Sequence, residues 1–242
     1  MIIDSKENSK IKYLNKLRSA KYMNQEKKFV IEGKHLVEEA FLSGVLLETF
    51  STFDTNYNIK NNIVSDKIMQ YISTLPSKSS IVGICKFIEE KENLGDKVII
   101  LDDVQDPGNL GTIIRSAKAF NIDTIVLSLN SVKKYNEKVI RSARGMLFKV
   151  NVIVRDLNEF IPYLKENNYM VYGTDVDNGI NLNSVLKTGK LAVIMGNEGQ
   201  GIEKSIKNMI DKNIYIDINE DCESLNVAVA TSIIMYEINR RN

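Results

Sequence analysis

In VIMGNEGQGI, residues 193–202, three glycines follow an apolar run in the order G-x-x-G-x-G, as Gly196, Gly199 and Gly201. A dinucleotide cradle has the reverse order, G-x-G-x-x-G, which sets backbone N–H groups and a helix N-terminus against a pyrophosphate. Here Glu198 stands between the glycines, and its carboxylate would repel a phosphate by about 1 kcal/mol or more at contact even in high dielectric. The pattern fits a ligand that needs close backbone approach beside a negative charge.

Two more segments combine polar side chains with turn chemistry. In DDVQDPGNLGTIIRSAKAF (102–120), Asp106 to Asn109 is a turn sequence and Thr112 to Phe120 is helix-like, so Asn109 to Gly111 are expected at a strand-to-helix elbow. Asn109 and Arg115 are six residues apart, which sets them on different helix faces unless the elbow redirects Asn109. In DCESLNVAVATSIIMYEINRR (221–241), Ser224 is the expected N-cap of a final helix with Val227, Ala230, Ile234 and Ile238 along a buried stripe. Taken singly, these segments also read as ordinary structure: a turn, a surface arginine, a packed helix.

Composition removes several classes of chemistry. A single histidine, His35, and two cysteines, Cys85 and Cys222, without C-x-x-C or Cys/His spacing argue against a zinc site and a histidine-based triad, so no metal is expected. Free thiols point to a reducing compartment. The N-terminus lacks a signal-peptide core and no apolar run is long enough for a membrane span, so a cytoplasmic protein with no membrane association is expected. The net charge of +1 hides an asymmetry: residues 1–35 hold nine Lys/Arg against four acids, giving +5 and leaving −4 for the rest. Such a basic segment is either a phosphate-binding footprint or a solvated lysine-rich helix face.

The elements that must position these residues change character near residue 95. In the first third, Ile11, Leu14 and Leu17 recur at helical spacing, KKFVIEG reads as a strand closing on Gly33, and HLVEEAFLSG reads as a helix ending at Gly44. An Asn-rich break from Asn56 to Asn62, a helix near 65–72 and the strand-like SIVGICKFI follow. EEKENLGDK (89–97) is nearly devoid of apolar residues and carries a turn signal, which suggests domains at 1–94 and 95–242. Beyond it, VIILDD, TIVLS, VNVIV, YMVYGTD, LAVIMG and NIYIDI alternate with helix-capable segments, the pattern of an α/β fold with a parallel sheet and helices on both faces. Ligands of such sheets sit beyond the carboxyl ends of the strands. Asn109 and Arg115 follow the first run, Thr174 and Asp175 the fourth, the glycine loop the fifth, and Ser224 to Asn226 the sixth. Convergence from four segments favours one site.

DDVQDPGNLGTIIRSA, VIMGNEGQGI and ESLNVAVATSIIMYE resemble, in order, spacing and identity, the three successive motifs of the SpoU family of RNA 2′-O-ribose methyltransferases, within the SPOUT superfamily. The first third is similar to the small α/β, ribosomal-protein-like substrate-binding domain that precedes the catalytic domain in many members. The resemblance implies S-adenosylmethionine as cofactor, a positively charged sulfonium that tolerates Glu198, with glycines where its two halves press on the backbone. It implies that Asn109, Arg115, Glu198, Ser224 and Asn226 surround the reacting ribose, and that Thr174, Gly196, Ile216, Ile218 and Leu225 line the cofactor pocket. Whether Glu198 meets the cofactor or braces the elbow is left open. Arg115, always charged, is read as a clamp on the adjacent phosphate and a stabiliser of the developing alkoxide, positioned by Asn109, with base action by Arg115 itself left open.

Further implications are a deep trefoil knot, which no periodicity would predict, and a homodimer formed through the C-terminal domain. KYNEKVIRSARGMLFKVNV (134–152) resembles a segment on the RNA side, where Arg141 and Arg144 are candidate phosphate contacts; Lys12, Lys16 and Arg18 are candidates in the basic segment. Many members have Ser at Ala143, and Pro and Gly at Asp217 and Glu220, so the loop around the pocket departs from the family pattern. Ribosomal RNA is favoured over tRNA as substrate. The competing readings are a non-catalytic RNA-binding or ribosome-assembly protein that keeps the fold and, disfavoured by the glycine order, a Rossmann-type nucleotide enzyme.

Overall fold

The computed structural model describes residues 2–76, 79–175, 179–185 and 189–240. The chain divides into two compact units, Met1–Glu89 and Glu90–Asn242.

The first unit contains α1 (Ser9–Lys16), α2 (Ala20–Glu26), β1 (Lys28–Glu32), α3 (Lys34–Leu42), β2 (Leu46–Ser51), β3 (Lys60–Ile63), α4 (Asp66–Ile72) and β4 (Ile81–Lys86). Asn8 caps α1 by accepting from the Lys10 amide, and Ile11, Leu14 and Leu17 are fully buried, as their spacing predicts. They join Phe50, Ile68 and Val82 in one core. The sheet order is β1-β4-β2-β3, with β4 antiparallel to β1 and β2, and β3 parallel to β2. β3 lies partly inside the expected Asn-rich break. Asparagine has poor strand propensity, but here its side chains bond across the pair. Asn61 Oδ1 accepts from Thr49 Oγ1 and Ser51 Oγ, both at 2.9 Å, and Asn62 Nδ2 donates to Glu48 Oε2 at 2.9 Å.

The second unit contains β5 (Lys97–Leu101), α5 (Pro107–Ala119), β6 (Thr124–Leu127), α6 (Glu137–Ala143), β7 (Asn151–Val154), α7 (Leu157–Glu166), β8 (Met170–Thr174), β9 (Ile180–Asn181), β10 (Leu191–Met195), α8 (Lys204–Lys207), β11 (Lys212–Tyr215) and α9 (Val227–Asn239). Among the described residues the sheet runs β7-β6-β5-β10-β8-β11-β9, and every strand pair in it is parallel. The late strand β10 lies between β5 and β8, with Ile194 opposite both Ile100 and Gly173. Val98, Ile100, Ala192 and Ile194 pack with Ile161 and Leu164 of α7. Ile99, Leu101 and Val193, which alternate with them, are buried too, so both faces are covered and the strands read as unbroken apolar runs.

Residues 90–94, near the expected boundary, are held in the second unit. Glu90 accepts from Lys134 Nζ at 2.9 Å and Arg155 Nη1 at 2.7 Å, Lys91 exchanges hydrogen bonds with Asn151, and Leu94 is buried in the sheet core. Few apolar residues there reflects ion pairing rather than a free linker. The apolar run 213–218 leaves the sheet at Tyr215, and Ile216 and Ile218 continue as a half-buried wall rather than a strand.

Candidate functional site

A cavity of about 390 Å³ opens where β8, β10 and β11 end. Thr174, Gly196, Ile216, Ile218 and Leu225 all line it, as do Glu198 and Ser224. Leu182, Val227 and Ile234 add apolar surface. Among the described lining residues the only charged ones are Asp175 and Glu198. An apolar cleft that carries two carboxylates and no Lys or Arg suits a partly apolar cation and opposes a phosphate.

The glycine loop owes its shape to Asn197, whose type and position in the sequence carry no signal of that role. Asn197 and Gly201 exchange backbone hydrogen bonds at 3.0 and 2.9 Å, and Asn197 Oδ1 accepts from the amides of Gly199 and Gln200 at 2.9 and 3.1 Å. Its Nδ2 donates to the Asp103 carbonyl at 2.8 Å, and the far end of the loop is held where Asp102 Oδ2 accepts from the Glu203 amide at 2.8 Å. Burial pushes the Asp102 carboxyl above the usual range, while the Glu203 amide it accepts from favours its charged form. A Cβ on Gly196 would stand 2.3 Å from the Gly201 carbonyl carbon and 2.4 Å from the Ile202 amide. Gly201 has φ +69°, whereas a Cβ on Gly199 would meet nothing closer than 3.7 Å. The expected reason for these glycines was ligand approach; at Gly196 and Gly201 the loop's own closure requires them.

A chain of three side chains runs from the start of α9 through Asn109 of α5 to Glu198 on the cavity lining. Asn226 caps α9, its Oδ1 accepting from the amides of Ala228 and Val229 at 2.9 and 3.4 Å. That leaves Asn226 Nδ2 to donate to Asn109 Oδ1 at 3.1 Å, and Asn109 Nδ2 to donate to Glu198 Oε1 at 2.8 Å. The helix cap therefore fixes both amide orientations and aims one carboxylate oxygen. Glu198 braces the start of α5, one of the two roles left open by the sequence.

Two expectations are corrected. The N-cap of α9 is Asn226 rather than Ser224, because Asn226 alone sits one residue before helical backbone with an acceptor in reach; Ser224 is exposed on the cavity rim. Asn109 lies inside α5 rather than in an elbow before it, because Asp106 caps the helix by accepting from the Asn109 amide at 2.9 Å and Pro107 starts it. That bond and the ion pair to Lys138, at 3.1 Å, hold the Asp106 carboxyl below the usual carboxylate range.

Arg115 consequently lies about 9 Å along α5 from Asn109 and about 120° around it. Its side chain is exposed and makes no hydrogen bond or ion pair among the described residues. Arg141 is exposed in the last turn of α6, and Arg144, also exposed, ends that helix in left-handed conformation, φ 47°. In the first unit Lys12 pairs with Glu7, Lys16 lies over the ring of Tyr22, and Arg18 donates to the Ile72 carbonyl at 2.7 Å. Asp217 and Glu220 are exposed and do not line the cavity, and Ala143 is fully buried. In the sequence, Asp102 and Asp103 show only as a DD pair and Asn197 only as the start of NEG, each after a strand end.

The pattern of the SpoU rRNA Methylase family matches residues 96–236, and that of the MRM3-like substrate binding domain matches residues 8–82. A 23S rRNA (guanosine(2553)-2'-O)-methyltransferase, RlmP, of Bacillus subtilis is 35% identical, the match covering 98% of this chain and 98% of its own. Among solved structures, an AdoMet-bound rRNA methyltransferase from Sinorhizobium meliloti superposes with a TM-score of 0.88 at 22% identity, over 98% of this chain and 97% of that one. The SpoU methyltransferase AviRb from Streptomyces viridochromogenes, with AdoMet, gives 0.86 at 17% identity, over 96% and 97%. At these identities the two structures speak for the fold.

Proposed function

Because the chain belongs to the SpoU rRNA methylase family, we propose that it methylates a ribose 2′-hydroxyl of RNA with S-adenosylmethionine, and that ribosomal RNA rather than tRNA is its substrate. The observation that carries this reading is the cavity beneath the glycine loop, apolar, bounded by Asp175 and Glu198 and free of Lys and Arg among its described lining. That donor set fits a sulfonium nucleoside. S-adenosylmethionine, when bound, supplies an electrophilic methyl group that leaves with its bond to sulfur broken and the sulfur neutral.

The chain's own task is to orient a poor nucleophile and manage its proton. Glu198, aimed by Asn109, is the acceptor toward which the hydroxyl points its hydrogen, and Arg115 holds the adjacent phosphate and offsets charge on the oxygen. Arg141 and Arg144 contact the RNA backbone next to the site. RNA is required because DNA has no 2′-hydroxyl. The first unit is read as the RNA-recruiting domain, and the enzyme as cytoplasmic; among the described residues no helix is long and apolar enough to cross a membrane.

We further read the second unit as knotted and paired. The insertion of β10 between β5 and β8 and the packing of α9 on α5 support a trefoil arrangement. On α9, Val229, Ile233 and Tyr236 recur at i, i+4 and i+7 and are 49%, 38% and 52% exposed, an apolar stripe suited to a second copy. The test of activity is transfer of labelled methyl from S-adenosylmethionine to ribosomal RNA or tRNA, followed by digestion to nucleosides. A 2′-O-methylnucleoside from ribosomal RNA is expected; label in tRNA alone would move the substrate, and label in neither would favour the non-catalytic reading.

A further inference from the structure

The first unit concentrates its charge. From Lys6 to Lys28 eight Lys or Arg stand against two acids, Glu7 and Glu26. Within that stretch and beside it, two tyrosine rings remain well exposed, Tyr22 at 36% and Tyr71 at 45%. Tyr71 has one ammonium group over its ring and Tyr22 two: Lys6 Nζ is 4.2 Å from the Tyr71 centroid, and Lys16 and Lys21 Nζ are 5.6 and 6.0 Å from that of Tyr22. The two rings are linked through the end of α1, since Lys16 closes that helix and Arg18 donates to the carbonyl of Ile72, next to Tyr71 in α4.

An exposed tyrosine ring whose covering cation is the end of a flexible lysine that a phosphate can draw aside matches one base and its flanking phosphate. A duplex keeps its bases stacked inside and offers the rings nothing, so the match is to unpaired RNA. We propose that Tyr22 and Tyr71 are stacking platforms for unpaired bases of the RNA substrate, with Lys6, Lys16 and Lys21 on the phosphates between them. This rests on the RNA methyltransferase reading and shifts the expected contacts: Lys12 is engaged by Glu7 and Arg18 by a backbone carbonyl, whereas Lys6 and Lys21 join Lys16 at the rings.

The experiment measures anisotropy of a fluorescein-labelled single strand of about 20 nucleotides, a site size spanning several stacked bases, and of its duplex, with the full chain, alongside methyl transfer to ribosomal RNA. The single strand binds more tightly than the duplex, and Tyr22→Ala and Tyr71→Ala each weaken it by about fivefold or more, while Tyr→Phe at either position does not. Lys6→Gln, Lys16→Gln and Lys21→Gln each flatten the dependence of log K on log salt by about 0.7. Methyl transfer by the wild type with unchanged RNA binding by both Ala variants, or with the duplex bound as tightly as the single strand, overturns the platform alone. A wild type that neither binds RNA nor transfers methyl overturns the enzymatic reading and the platform with it.

Discussion

Asn226 does two jobs with one amide, capping α9 through its oxygen and aiming Asn109 through its nitrogen. Asn226→Asp separates them. The carboxylate still caps the helix, but Asn109 now has a carboxylate on either side and only one nitrogen to offer, so one junction sets oxygen against oxygen. Methyl transfer should fall about 10- to 100-fold with the melting temperature moved by less than about 2 °C; equal loss in both would reduce Asn226 to a cap. Two carboxyls, Asp106 at the start of α5 and Glu90 ahead of β5, set a pH response. Asp106 is held below the usual range by the Asn109 amide and Lys138; Glu90 is pushed up by burial but brought down further by its bonds to Lys134 and Arg155. Depressed carboxyls contribute stability above their unfolded values, near pH 4, and lose it as pH falls through the folded ones. Asp102 acts in the opposite sense, its burial cost easing as it protonates. Melting between pH 7 and pH 3 should therefore show a loss concentrated below about pH 4, shallower in Asp106→Asn, which keeps a cap acceptor and lacks the charge for Lys138.

The glycine loop, as an element, is a closed turn pinned at both ends to Asp102 and Asp103. Its glycines should behave unequally. Gly196→Ala forces its Cβ into the Gly201–Ile202 backbone, and a cost of about 1–3 kcal/mol with loss of S-adenosylmethionine binding is expected. In Gly199→Ala the added methyl meets nothing closer than 3.7 Å, an ordinary van der Waals contact, and stability should change by less than about 0.5 kcal/mol. Thermal melting and calorimetry on the pair check this; equal damage from both would mean the ligand, not the loop, sets the requirement. The loop's position after an apolar strand was readable from spacing, and its ligand charge from Glu198. What was not readable is the closure by Asn197, because an Asn before Glu-Gly looks like any turn residue until its oxygen is found on two amides. The cap of α9 failed for a related reason: Ser224 and Asn226 both suit the role, and only backbone geometry chooses between them.

At the scale of the whole molecule, alternation of apolar runs and helices gave the parallel sheet, since strands covered on both faces need unbroken hydrophobic sequence. It could not give the place of β10 between β5 and β8, because strand order depends on which neighbour a strand meets, not on its composition. β3 was hidden by asparagines whose strand geometry comes from partners in β2. Assembly is the other property at this scale. Ile233→Lys places a charge in the exposed apolar stripe of α9, and sedimentation should shift from twice the chain mass to the chain mass; a monomeric wild type would remove the proposed pairing.

The cavity bounded by the glycine loop is assigned to S-adenosylmethionine. Isothermal titration of the full chain and of Ile216→Arg, which drives a guanidinium into the cavity wall, decides the assignment. Saturable binding by the wild type, abolished in a variant that melts like the wild type, is the predicted result. No binding by the wild type, or equal binding by both proteins, would contradict the assignment.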